Sequence, residues 1–213
     1  MKLSRDLDIA QKNAWHLVHR IRETFNDHEF DFAGKVEVDE TYVGGLEKNK
    51  HWDKKLNAGR GGVGKSIVAG MKNRETNNVT AQVIPNTRRT TLHGIIESNV
   101  EEGSEVFTDE FKSYERMVDF DHKSVKHSVG EYVRKQVHIN GIESFWLMLK
   151  RAHKGTYHKM SKKHLNRCVQ EFAGRHNTRP LDTVDQMRSI VQGMVGKRLK
   201  NKELVAGVDG RLH

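Results

Sequence analysis

The stretch VEVDETY, residues 36–42, decides how this chain is read. At strand periodicity its alternation puts Val36 and Val38 on one face and Glu37 and Asp39 on the other. Asp39 then sits where a β-branched run finishes, at the end of a strand. VFTDEF, residues 106–111, repeats the arrangement with Asp109 after an apolar run. Alone, the first acid reads equally as a strand-end turn residue and the second as a helix N-cap. A third stretch, HINGIESFW, residues 138–146, puts an acid near the start of an amphipathic helix. At about 100° per residue, Ile142, Phe145, Trp146 and Leu149 share one side, while Asn140, Glu143 and Lys150 fall within roughly 80° of one another on the opposite side. Carboxylates on rigid elements, remote in sequence, are what a pair of divalent ions needs, and hard oxygen donors favour Mg2+ or Mn2+ over zinc.

Working outward, strands are expected at Lys35–Val43, Ser66–Met71 and Val79–Ile84, a helix at Thr91–Val100, and strands ending at Thr108 and covering Lys123–His127. Helices follow at Asn140–His153 and Ser161–His176. This order implies an α/β fold, a mixed sheet flanked by helices. Before it, a short helix, a turn near Asp8–Ile9 and a helix from Gln11 open the chain. In that second helix Ala14, Leu17, Val18 and Ile21 recur at helical spacing. The other face carries Gln11, Lys12, Asn13, His16, His19, Arg20 and Arg22. It reads either as half of a helix-turn-helix offering Lys12 and Arg20 to DNA, or as an ordinary packing helix. The expected domains are 1–30, a partial helix-turn-helix; 31–180, the sheet domain; and 181–213, a helical and basic tail.

Residues 44–65 form a glycine- and lysine-rich connection that either follows a polyanion or simply stays solvated. Within it GRGGVGKS, residues 59–66, fits a P-loop pattern letter for letter. The pattern works only between a buried strand and a helix whose amides face the phosphates. Here the preceding HWDKKLNA is polar and the following SIVAGM reads as a strand, so the match is coincidental. Lys65 and Arg60 remain simple phosphate contacts.

The chain has 213 residues, with 37 basic against 28 acidic side chains and a net charge of +9. That excess points to a polyanionic partner, nucleic acid first, against the plainer reading of a solvated basic surface. A single cysteine, Cys168, excludes a disulfide framework and a zinc site built on cysteine pairs. No apolar run approaches a membrane span and no signal peptide opens the chain, so a cytoplasmic, nucleoid-associated protein is expected.

These segments resemble a known family. VEVDETYVGG (36–45), GRGGVGKSIVAG (59–70), VFTDEFKSY (106–114), HINGIESFWLMLKRAHKGTYHKMSKKHL (138–165), EFAGRHN (171–177) and GKRLKNKEL (196–204) follow in order the pattern of bacterial insertion-sequence DDE transposases of the ISXO-like group. The resemblance implies an RNase H-like catalytic domain with Asp39, Asp109 and Glu143 as catalytic metal ligands. Asn140 is the rival third ligand, and Glu40 a weaker rival for the first. It implies two Mg2+ or Mn2+ ions that serve DNA cleavage and strand transfer, with Lys150 and Arg151 on the DNA backbone. His138 is a proton or phosphate contact, or else a capping histidine. The implied partners are the element's ends and target DNA, bound by a homo-oligomer. Family members begin with a zinc ribbon, and this chain has no cysteine pairs before its strands. A truncated form, or a DNA-binding relic without activity, is therefore the alternative. Gly174 stands where a bulkier residue is expected, which would weaken its helix.

Overall fold

The structure is a computed structural model and describes residues 2–25, 31–45, 51–55, 62, 64–125, 138–157 and 160–206. By its contacts the chain divides into two compact units, residues 29–160 and residues 1–28 with 161–213.

The sheet belongs to the first of these. Its strands are β1 (Lys35–Val43), β2 (Ser66–Asn73), β3 (Val79–Ile84), β4 (Glu105–Asp109) and β5 (Asp121–Val125), in the order β3-β2-β1-β4-β5. β1, β2 and β3 pair antiparallel, and β4 and β5 continue the sheet in parallel. This is the mixed α/β sheet expected from the order of predicted elements, and the RNase H-like arrangement that the family resemblance implies.

Two helices of this unit flank the sheet on its two faces. Val36 and Val38 pack with Met71, Val106 and Tyr114 against Leu92 and Ile96 of α3 (Arg89–Glu97). On the opposite face lies α4 (Asn140–Gly155), which buries Ile142, Phe145, Trp146 and Leu149, the stripe that its sequence periodicity gives. Burial of each such side chain stabilises by about 1.5–3 kcal/mol.

α3 begins two residues earlier than its apolar pattern because Asn86 organises the entry: its side-chain oxygen accepts from the Arg88 amide at 3.0 Å and the Thr91 hydroxyl at 2.8 Å. β2 runs on to Asn73, whose side chain receives the amides of Glu75 and Thr76 and closes the turn into β3. β5 begins at Asp121 rather than Lys123, since Asp121 pairs with Glu105 in the ladder and both carboxylates hold the Lys123 ammonium.

The other unit comprises α1 (Lys2–Asp6), α2 (Gln11–Arg22), α5 (Leu165–Thr178), α6 (Thr183–Met194) and α7 (Asn201–Val205). Lys12 and Arg20 of α2 are exposed. Gln11 and Asn13 are exposed as well, whereas His16, His19 and Arg22 turn inward. His19 is buried between the Trp15 and His164 rings, His16 bonds the Leu199 carbonyl at 3.2 Å, and Arg22 pairs with Glu171 at 2.8 Å. Polar residues here serve packing because α5 and the C-terminal segment supply partners that no periodicity argument sees. α5 continues through Gly174 to Thr178. The Phe25 ring fills the space a side chain would take, and a Cβ at 174 would lie 2.0 Å from Phe25 Cδ1.

Candidate active site

β1 and β4 lie side by side and parallel, with Glu37 opposite Phe107. Carried two residues further, that register sets Asp39 alongside Asp109, and both are half-buried. Asp109 ends β4, but Asp39 does not close its strand as its place in the sequence suggests, because β1 stays paired with β2 as far as Val43. Their charges interact. Burial, then the neighbouring Glu40 and Asp109 carboxylates, push the Asp39 carboxyl up to about 7. Glu40 is also raised, by burial above all, although the Tyr114 hydroxyl donates to it at 2.5 Å and opposes the rise. Among the described residues no cation pairs with Asp39, Glu40 or Asp109. Two neighbouring acids without a counter-ion, Asp39 and Asp109, are a poor arrangement in water and a better one for a hard cation.

Asp39 is fixed by α4. The Trp146 indole N–H donates to its Oδ2 at 3.0 Å. That indole lies over Gly70, the residue paired with Asp39 across β1 and β2. A Cβ at Gly70 would approach the Trp146 ring to 2.5 Å, so the hydrogen bond needs glycine there. Asp109 Oδ1 accepts from the Phe111 amide at 3.0 Å, which holds the second carboxylate on the turn after β4.

α4 itself is anchored by Glu37, a residue that sequence reasoning placed on the acidic face of β1 without a role. Its carboxylate is 1% exposed. Oε2 accepts from the Ile142 amide in the first turn of α4 at 2.8 Å, and Oε1 pairs with Arg74 Nε at 2.7 Å and with His138 Nδ1 at 3.4 Å. Arg74 also donates to the His138 carbonyl. His138 therefore belongs to the anchor, as the capping alternative has it. Glu37 acts as a helix cap from another element, taking an otherwise orphaned N–H at the positive end of α4. Gly141 is required by the same approach, since a Cβ there would come 2.7 Å from Glu37 Oε2. The period-two alternation could have flagged Glu37 as an inward acid needing a partner, but nothing in the sequence names that partner.

Glu143 is partly buried on α4, and Asn140, Lys150 and Arg151 are exposed. Among the described residues no three His, Cys, Asp or Glu side chains lie close enough to hold a metal ion together, so the structure does not gather Glu143 with Asp39 and Asp109. Asp39 and Asp109 fit one hard divalent cation by donor chemistry and by the cost of their uncompensated charge. A complete shell needs further oxygen donors. Lys65 stands just ahead of β2, which follows the glycine-rich loop directly as a strand, as expected for a coincidental P-loop match. Arg60 lies outside the described residues.

A model of the ISXO2-like transposase domain matches residues 31–177, which take in all five strands together with α3 and α4. An uncharacterized transposase-like protein of Haemophilus influenzae is 31% identical over 114 residues, covering 52% of this chain and 91% of that protein. An uncharacterized protein in transposable element ISH50 of Halobacterium salinarum is 25% identical over 157 residues, covering 67% of this chain and 52% of its own length. The chain thus spans about half of the second relative.

Proposed function

Because the chain belongs to the ISXO2-like transposase family, we propose that it cleaves DNA at the ends of an insertion sequence and joins them to target DNA, with Asp39 and Asp109 at the reacting phosphate. The observation that carries this reading is the approach of Asp39, within β1, to Asp109 at the end of β4, where burial and like charge raise the Asp39 carboxyl to about 7 and disfavour its charged form. Mg2+ or Mn2+, when bound, would polarise the phosphate and favour a water or 3′-hydroxyl nucleophile. The residues of the chain do the rest. Asp39 would hold the ion as a carboxylate, Trp146 holds its oxygen in orientation, and Tyr114 keeps Glu40 engaged by hydrogen bonding. Glu143 or Asn140 would complete the oxygen shell from the exposed side of α4. Lys150 and Arg151 would hold the DNA backbone in a salt-dependent manner. Residues 1–30, 31–180 and 181–213 would divide DNA recognition, chemistry and docking between them, with Lys12 and Arg20 as exposed DNA contacts. A homo-oligomer would act on paired ends.

One observation favours a second reading, a DNA-binding chain without catalysis: among the described residues no third carboxylate joins the pair. The two are separated by DNA nicking in Mn2+ or Mg2+. The strand-transfer reading expects nicking by the wild-type chain and its loss in Asp109→Ala and Glu143→Ala variants that bind DNA as before. DNA binding with no cleavage under either metal would favour the relic.

A further inference from the structure

Beside the acidic pair, and bounded by Glu40, lies a cavity of about 740 Å³. The end of β1 from Glu40 to Gly44, Gly62 and Lys65 ahead of β2, and Lys150, His153 and Lys154 on α4 line it. The glycine-rich motif that lacks a nucleotide-binding helix thus contributes Gly62 and Lys65 to a cavity of another kind. Its volume falls within the roughly 300–1,000 Å³ range of small-ligand sites. Three lysines against one acid give the lining a basic charge, and none of the three forms an ion pair with a described residue. Its one acid, Glu40, is already bonded by Tyr114.

The second observation is an aromatic surface. Tyr42 lines the same cavity and remains 42% exposed. The main chain at Gly62 backs its ring, since a Cβ at 62 would lie 2.3 Å from Tyr42 Cε1. A duplex keeps its bases stacked inside and would present only backbone to this cavity. An unpaired strand presents phosphates to lysines and a base face to an aromatic ring at once.

We propose that this cavity binds an unpaired segment of the DNA strand that runs on from the phosphate at Asp39 and Asp109. A base stacks on Tyr42, and phosphates meet Lys65, Lys150 and Lys154. The inference rests on the strand-cleavage reading for the position of the reacting phosphate. It makes the family domain a reader of frayed or single-stranded ends, whatever their sequence.

The test uses the whole chain in metal-free buffer, so that binding is read without cleavage. Fluorescence anisotropy compares a blunt duplex with the same duplex bearing a short single-stranded extension that carries 2-aminopurine. The extended DNA should bind roughly 5- to 100-fold more tightly, as expected for stacking of one base, with its fluorescence quenched. Tyr42→Phe should keep the preference, and Tyr42→Ala should remove most of it and restore the fluorescence. Equal affinity for the two DNAs, or a preference that survives Tyr42→Ala, would overturn the proposal. So would saturable binding of free nucleoside monophosphate at Tyr42 without preference for the extension. Nicking in Mn2+ by a chain with no such preference would sink this inference alone. The preference without nicking would sink the strand-cleavage reading and leave the site standing.

Discussion

Asp39 is held where its charge is unwelcome, and that makes it the most informative single residue. Its carboxyl is raised from 3.8 to about 7, so the folded state disfavours the charged form. The stability this group contributes is present below pH 4 and is lost as pH rises through 7, by about 4 kcal/mol at most. In metal-free buffer the unfolding midpoint of the chain should therefore carry a fall between pH 4 and pH 7 that Asp39→Asn removes. Trp146→Phe keeps the packing over Gly70 and deletes only the N–H that reaches Asp39. It should weaken Mn2+ affinity by about 10–100-fold, as the loss of a ligand's orienting partner does, with thermal stability near that of the wild type. Asp39 and Asp109 were legible in the sequence because each closes an apolar run that can only be a strand. Trp146 and Gly70 were not legible as their supports, since that contact depends on the β1–β2 register and on how deeply α4 docks.

At the scale of elements, α4 is tied to the sheet through the buried Glu37–Arg74–His138 group as well as through its apolar stripe. Glu37→Ala leaves the Arg74 guanidinium and the Ile142 amide without their acceptor, and should destabilise the chain by about 3–5 kcal/mol in urea unfolding. Glu37→Gln, which keeps an acceptor for Ile142, should lose clearly less. α2 is governed by a charge of the opposite sign. Burial first, then Arg22 and His164, push His19 down to about 3 from 6.5. Its contribution is present above pH 6.5 and is lost as pH falls toward 3. His19→Phe should therefore raise stability at pH 4 relative to pH 7, as followed by amide exchange in α2. The amphipathic stripe of α4 could be read from periodicity alone. The inward turn of His19, His16 and Arg22 could not, because a periodic pattern does not distinguish a solvated polar face from one that meets polar partners.

At the scale of the molecule, a chain with a net charge of +9 carries an acidic pair within β1 and at the end of β4. Such a surface binds a polyanion by counterion release. Removing Lys150 should shallow the slope of log affinity against log salt by about one unit, equally for all DNA sequences. No helix among the described residues is long and apolar enough to cross a membrane. The order β3-β2-β1-β4-β5 makes β1 central and pairs its first half with β4, which brings Asp39 beside the end of β4, so the topology itself builds the pair. The central claim is that this pair holds a divalent cation. Isothermal titration of Mn2+ into the metal-free chain at pH 8 tests it most directly. Saturable binding that is lost in both Asp39→Asn and Asp109→Asn is the predicted result, and binding of equal strength in the wild type and both variants would contradict it.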